Sequence, residues 1–581
     1  MQTLTRRDFI RLAATTLGGL ALAGCGGRQL AQPTEAPRPA ITVAATTAPA
    51  SATGAADMIF VNGKIITVDA KDTIAQAVAI KNGLIQQVGK TDEVRASAGA
   101  TAQVVDLKGK AVTPGLIDPH NHLQVVGMMS DAYIPFLPPD VITVEGLQKK
   151  LAAVVAKTGK GKWIQGYYLY VGAGAIPKRQ DLDKVAPENP VWILQQGGHY
   201  GTANSAALKI ANITASTANP TGGIIERDKG GEPTGVFYNH RAMDLLRRFV
   251  TLDIKADPRA YALTPQDTFA AAGVTTFHDN NVRGTENTAA YLDLGKQGKM
   301  KIRGAIYYTL EWPADLDTAL KQIERYKDPM MQMAGFKFLI DGQVPTAFTH
   351  EPHEGASWNM ATWDPAMFKS AVRSLHDTGL QICVHCIGDA AVDLVIDAYE
   401  AAMKANPRSD PRHRIEHAII TTPQATKRMK DLGIVVSTQP AFIRSGGDGW
   451  VKYFGEQRAK RAMVTREWLD GGVRLALGSD APTAPWITPQ ATLAGATMRP
   501  TITDKVLGPE QCLTIQEALR AHTMGGAYAL HEEKIKGSIE VGKLADLAVW
   551  NEDPYSAADH IHTVTIATTI VGGKVVYQTG S

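Results

Sequence analysis

From Asp57 to Val112, short β-rich runs alternate with glycine turns. Met58-Ile59-Phe60-Val61 leads through Asn62-Gly63 into Lys64-Ile65-Ile66-Thr67-Val68. Ala77-Val78-Ala79-Ile80 leads through Asn82-Gly83 into Leu84-Ile85-Gln86-Gln87-Val88. Asn-Gly readily takes up the positive φ of a tight turn, so this spacing predicts two hairpins. The C-terminus repeats the style in Leu547-Ala548-Val549-Trp550, Ile566 to Val571, Gly572-Gly573 and Lys574-Val575-Val576-Tyr577. Two β-rich ends around a long middle predict a small β-sandwich assembled from 57–112 and 535–581.

The middle, 113–534, reads as strands alternating with helices. Strand-like runs lie at Leu116–His122, Val274–His278, Ile302–Tyr308, Phe336–Ile340, Gln381–His385, Arg414–His417, Ile434–Gln439 and Arg474–Asp480. About eight such runs close a (β/α)8 barrel of the TIM type, so the fold class is α/β. The helices between them carry their own punctuation. Asp364-Pro365 starts one that stops at Gly379, and Thr422-Pro423 starts one that stops at Gly433. Thr514 with Glu517 forms a capping box for the helix after the last strand. A further run, Val191-Trp192-Ile193-Leu194-Gln195-Gln196, exceeds the count. It falls within 124–270, which reads as a subdomain inserted over the barrel mouth.

The first 25 residues read as a targeting signal rather than as part of a fold. Thr5-Arg6-Arg7-Asp8-Phe9-Ile10-Arg11 resembles a twin-arginine export signal, and Leu22-Ala23-Gly24-Cys25 a lipobox with Cys25 as the lipidated residue. The apolar stretch between them is too short to remain as a spanning helix. Residues 26–56, rich in Ala, Thr and Pro, read as a flexible tether. These features predict an exported protein of the cell envelope, lipid-anchored on the extracytoplasmic face of a membrane. The twin-arginine route carries folded proteins. The other cysteines, Cys383, Cys386 and Cys512, do not make a disulfide framework.

Composition narrows the function. The chain has 581 residues, 44% hydrophobic and 20% charged, which suits a large catalytic domain with an accessory one. Of the formal charge of +3, the first segment supplies +2 through Arg6, Arg7 and Arg11 against Asp8. The near-neutral remainder excludes a nucleic-acid or polyanion binder.

Candidate chemistry gathers at the strand ends. In Asp118-Pro119-His120-Asn121-His122 the two histidines share a face, because alternate side chains of a strand point the same way. His-x-His alone is a weak signal. Later strands add Lys337, His385, His417 and Asp480, all where a barrel enzyme places its catalytic groups. Each has a structural reading too: His385 as a core histidine, Lys337 as a solvated lysine, Asp480 as a turn cap in Gly478-Ser479-Asp480-Ala481-Pro482. Four His, one Lys and one Asp in matching positions point instead to a metal centre.

The combination resembles the amidohydrolase superfamily and, within it, the amidohydrolase-3 or YtcJ-like family. The motifs are Val112 to Asp118 before His120, Gly335-Phe336-Lys337-Phe338-Leu339-Ile340-Asp341-Gly342, His385-Cys386-Ile387-Gly388-Asp389, Arg414-Ile415-Glu416-His417-Ala418 and Gly478 to Pro482. Gly198-His199-Tyr200-Gly201-Thr202-Ala203-Asn204-Ser205 resembles the family's insertion signature. The similarity covers nearly everything from Asp57 to Ser581.

The resemblance implies that His120, His122 and Asp480 bind one divalent metal, Zn²⁺ above others, and His385 and His417 a second. Lys337 bridges them as a carbamate; family members with one ion also exist. A water between the metals attacks the carbonyl, and Asp480 takes its proton and passes it to the leaving nitrogen. Asp480, Lys337 and His417 are then the catalytic set. His199 and His278 are expected near the substrate, His278 also as support behind the ligands. Cys383 shares a face with His385 and is expected to pack as a barrel-layer residue. His350 and His353 read as a loop.

The expected activity is hydrolysis of a carbon–nitrogen bond other than a peptide bond, in an amide, an N-formyl or N-acyl amine, or a cyclic amide. The alternatives are a deaminase on the same barrel and a solute-binding lipoprotein without catalysis. The expected partners are a small amide-type substrate and a membrane, through lipid on Cys25. No nucleic acid is expected, and a homodimer is one compatible assembly.

Overall fold

Eight parallel strands form the central sheet of the computed structural model, in the order in which they follow along the chain. They are β1 (Leu116–Asn121), β2 (Val274–Val282), β3 (Arg303–Leu310), β4 (Met331–Leu339), β5 (Gln381–Cys386), β6 (Arg414–His417), β7 (Val435–Thr438) and β8 (Arg474–Leu477). The structure describes residues 54–580 apart from 138–139, 142, 169–175, 196, 252–256, 353–358 and 484–487. Arg6, Arg7, Cys25, nearly all of the tether, and His353 lie outside the described residues. Among the described residues, no helix is long and apolar enough to cross a membrane.

β3 and β5 are buried along their whole length, because helices cover the outer face and side chains fill the inner one. The helix starts follow the sequence signals. Asp364 accepts from the backbone N–H groups of Ala366 and Met367 at the start of Pro365–His376. Thr422 caps Pro423–Asp431 in the same way. The Thr514–Glu517 capping box starts Ile515–Arg520, but Pro489–Thr497 intervenes between it and β8.

β8 and β1 share no strand ladder; other bonds hold the barrel seam. The Ser479 N–H and hydroxyl donate to the Asp118 carboxylate at 3.0 and 2.5 Å. The Asp480 N–H donates to the His120 carbonyl at 2.7 Å, and the His122 N–H to the Ala481 carbonyl at 2.8 Å. These bonds bring the first and last strand ends together.

The sandwich is present, with an uneven contribution from the termini. One sheet of four strands comes wholly from the N-terminal segment. The other, of six, pairs Ala111–Pro114 with Leu547–Trp550 and thereby joins the two ends of the chain. Phe60, Ile80, Val112, Leu547 and Ile570 pack in the core between the sheets.

Two expectations are corrected here. Asn82-Gly83 makes a hairpin, with Lys81 paired to Leu84, but Asn62-Gly63 does not. The strand before it, Ala56–Val61, pairs with Ala77–Lys81 in one sheet, whereas Lys64–Ile66 pairs with Ala111–Pro114 in the other. The turn chemistry is the same, but burial of both apolar runs is satisfied by changing sheets. The apolar run before His120 also divides at Gly115, with Ala111–Pro114 in the sandwich and Leu116–Asn121 in the barrel. A β-carbon on Gly115 would lie 2.2 Å from the Thr275 hydroxyl, so only glycine allows this approach.

The ninth run lies between β1 and β2, in a separate sheet of six strands spanning Ile134–Tyr238. There Val191–Gln195 pairs parallel with Ile164–Tyr168 and antiparallel with Tyr200–Ala203. Its turn into Tyr200–Ala203 carries His199.

Candidate metal centre

The seam sets the first group of side chains. The His120 and His122 rings lie with centroids 5.3 Å apart, and Asp480 Oδ1 is 2.8 Å from His122 Nε2 and 3.4 Å from His120 Nε2. Asp480 has φ +53°, a left-handed conformation unusual for a residue other than glycine. Burial opposes its charge, but the surrounding imidazoles of His120, His122 and His417 outweigh that and hold its carboxyl below the usual range.

β6 supplies two functional residues in succession, which a regular strand cannot aim at one point. His417 resolves this by leaving the strand at φ +69°, and the next residue, Ala418, stays left-handed at φ +50°. The His417 ring thereby lies 4.7 Å from His120 and 4.5 Å from His385, centroid to centroid. Such conformations cost on the order of 1–3 kcal/mol each and persist where surrounding contacts enforce them. One contact here is Gln439, whose Oε1 lies 2.6 Å from His417 Nδ1.

Glu416, on the same strand, reaches the site from beneath. Its carboxylate accepts the His120 Nδ1 proton, leaving Nε2 to face the cavity. Arg414 clamps the same carboxylate through Nε at 2.7 Å and Nη2 at 2.9 Å, and also donates to the Pro119 carbonyl at 2.6 Å and Tyr307 at 3.1 Å. Arg414 and Glu416 are completely buried. A carboxylate behind a ligand histidine fixes its tautomer and strengthens its donor nitrogen. The sequence contained Arg414-Ile415-Glu416, but nothing in it linked the carboxylate to His120, 296 positions away.

Lys337 and His385 come from the neighbouring strands β4 and β5, where Leu339 is in register with His385. Lys337 is buried, and among the described residues its ammonium makes no hydrogen bond or ion pair. Burial pushes its pKa down, against the pull of Glu416 and Asp480. Asp341 lies 3.5 Å from His385 Nε2 and accepts from the backbone N–H groups of Ile387 and Gly388 at 3.0 and 2.9 Å. Burial raises its pKa to about 7 against those donors.

Burial favours the neutral imidazole at four of these histidines. Burial holds His120 and His385 well below the usual imidazole range, His417 at about 4 and His199 at about 3. His120 Nε2 and His385 Nε2 make no hydrogen bond although each is buried. Buried polar atoms of this kind need a partner. Ligand atoms of His120, His417 and Asp480 lie within 4.8 Å of one another, a spacing that one cation can bridge. Unpaired imidazole nitrogens around a carboxylate fit a divalent transition metal.

Above the cluster opens a cavity of about 400 Å³, lined by all six predicted ligands and by His199. His199 enters from the insertion, its ring 4.5 Å from His385, and His240 stands behind it at 5.6 Å. His240, missed in the sequence, follows the last strand of the insertion sheet.

His278 is not brought to the cavity. It is completely buried, with Nδ1 3.2 Å from Arg414 Nη1, because it points into the layer below the ligands. Cys383 packs in that interior with Ala305, Tyr307 and Leu530, and burial pushes its thiol pKa up. His350 sits on the outer surface, 2.8 Å from Asp393.

The sequence profile of the amidohydrolase family matches residues 103–577. The chain is 32% identical over 541 residues to Protein LONG AFTER FAR-RED 3 of Arabidopsis thaliana, covering 90% of this chain and 92% of that protein. It is also 32% identical over 550 residues to the N-substituted formamide deformylase of Arthrobacter pascens, covering 90% and 99%. Among solved structures, an uncharacterized metal-dependent hydrolase of Pyrococcus horikoshii OT3 superposes with a TM-score of 0.67 at 25% identity, over 86% of this chain and 99% of that one.

Proposed function

Because the chain belongs to the amidohydrolase family, we propose that it hydrolyses a non-peptide carbon–nitrogen bond in a small N-formyl or N-acyl amine. One observation carries this reading: unpaired, neutral imidazole nitrogens and the Asp480 carboxylate converge at the floor of a cavity sized for a small molecule. The formamide deformylase of Arthrobacter pascens, similar over nearly its whole length, supports the N-formyl class in particular.

His120, His122, His385, His417 and Asp480 would hold one or two divalent ions. A carbamate on Lys337 would be a further ligand, since a free ammonium cannot ligate a cation. Bound there, the metal supplies Lewis acidity, polarising a carbonyl and making a nearby water more acidic. Asp480 accepts the proton of the attacking water at its carboxylate and delivers it to the leaving nitrogen. Glu416 holds His120 in one tautomer, and Gln439 fixes the His417 ring. His199 stands on the cavity wall, where its N–H can donate to the acyl oxygen.

The N-terminal signals support a second part of the proposal: the protein is exported folded and anchored through lipid on Cys25. The central test combines metal analysis of purified protein with a screen of N-formyl and N-acyl amines. Stoichiometric metal and chelator-sensitive amine release are expected. Metal-free protein that turns over these amides in chelator would refute the reading.

A further inference from the structure

The metal cluster occupies one end of the cavity, and two guanidinium groups line the other. Arg247 ends the helix Asn239–Arg247 of the insertion, and Arg283 follows β2. Each is pinned from behind by an acid that does not line this cavity. Asp244 Oδ1 lies 3.1 Å from Arg247 Nε and 2.5 Å from Nη2. Glu311 Oε1 lies 2.8 Å from Arg283 Nη2, and Asn281 Oδ1 lies 2.7 Å from Arg283 Nε. Both guanidiniums retain Nη1 donors after these bonds, on forks already fixed in orientation.

Two imidazoles and an apolar wall lie between the two ends. His199 and His240 stand in series between His385 and Arg247, whose Nη2 is 3.4 Å from His240 Nδ1. Met128, Met129, Leu194 and Tyr261 supply an apolar wall. Glu286, the one acid at this end of the lining, is exposed at the rim, where solvent and salt screen it.

We propose that the substrate's N-substituent carries a carboxylate at the far end of an apolar spacer, and that Arg247 and Arg283 receive it. The proposal rests on the hydrolase reading of the metal end and adds a specificity to it. A charge-assisted guanidinium–carboxylate contact is worth about ten- to a hundredfold in affinity.

The test uses the full chain loaded with Zn²⁺. N-Formyl-6-aminohexanoate and its terminal carboxamide are compared by formate release, in wild type and in the Arg247→Gln/Arg283→Gln double variant. The expected wild-type preference for the carboxylate is at least tenfold in kcat/KM, carried by KM, and the double variant reduces the ratio to about one. Equal use of the two substrates by wild type, or an unchanged ratio in the variant, overturns the proposal. Should neither substrate be hydrolysed, the N-formyl reading fails, and calorimetric binding of 6-aminohexanoate against 6-aminohexanamide decides this inference separately. Preference for the carboxylate, lost in the variant, supports it; equal binding overturns it. Arg247→Lys/Arg283→Lys keeps the charge should the glutamine variant misfold, and a wild-type ratio there would exclude recognition by the forks.

Discussion

Replacing Glu416 by Gln changes one oxygen to an amide nitrogen at a completely buried position, and the structure gives two separate costs. The carboxylate accepts from Arg414 at 2.7 and 2.9 Å and from His120 Nδ1. Without its charge, Arg414 keeps a buried guanidinium with only neutral acceptors in Pro119, Tyr307 and His278. Breaking a buried pair in this way costs about 3–5 kcal/mol. The second cost falls on the metal. If the new amide turns its NH₂ toward His120, it forces the ring proton onto Nε2 and blocks that ligand atom. If it turns its NH₂ toward Arg414, donor faces donor. Metal affinity should therefore fall about 10–100-fold. Urea denaturation measures the first effect, and competition with a chelator of known affinity the second. Adding Arg414→Met removes the stranded charge, so it should recover much of the stability and little of the affinity. A Glu416→Gln protein with wild-type metal affinity would refute the role assigned to the carboxylate.

Asp480→Asn keeps the shape and an oxygen ligand but removes the proton acceptor. It should lower kcat by about two to four orders of magnitude with much of the metal retained; near-normal turnover in folded, metallated variant would leave Asp480 a turn cap. Lys337→Ala should lose activity and regain part of it with added short carboxylates, and no rescue at any concentration would count against a carbamate. Stability should fall in acid through a buried pair away from the site. The Ile382 N–H donates to His413 Nδ1 at 3.1 Å, His413 Nε2 to His376 Nδ1 at 2.8 Å, and His376 Nε2 to the Asn406 carbonyl at 2.8 Å, so each ring holds one proton. Burial holds both pKa values below the usual range, so the unfolded chain binds protons that the folded one excludes. Stability is then full above about pH 6.5 and falls below it by at most about 1.4 kcal/mol per pH unit for each ring. His376→Gln should remove one proton from that slope in denaturation curves between pH 6 and 5, and an unchanged slope would contradict the pairing. Replacing Arg6 and Arg7 together by Lys should trap precursor inside the cell, as fractionation would show; unaltered export would remove the twin-arginine assignment.

The sequence alone determined the barrel strands, because each parallel strand is buried on both faces and reads as a short apolar run between helix signals. It also pointed to His120, Lys337, His385, His417 and Asp480, at or near the ends of those runs, and in the structure all five line one cavity. Local chemistry fixed the helix caps at Asp364, Thr422 and Thr514 for the same reason: their partners lie within three residues. What the sequence could not decide depends on contacts between distant segments. Asn62-Gly63 and Asn82-Gly83 offer the same turn, yet one changes sheets because the strand it leaves pairs elsewhere. Glu416 reads as one more strand residue until the barrel brings it under His120. His278 ends its strand-like run as the ligands end theirs, but the strand itself continues to Val282 and leaves His278 in the layer below, against Arg414. His417 and Glu416 face one site only through a left-handed residue that period-two alternation excludes. The second end of the cavity was the least legible. Arg247 and Arg283 belong to the insertion and to a barrel strand end, and only packing of the one over the other makes them neighbours.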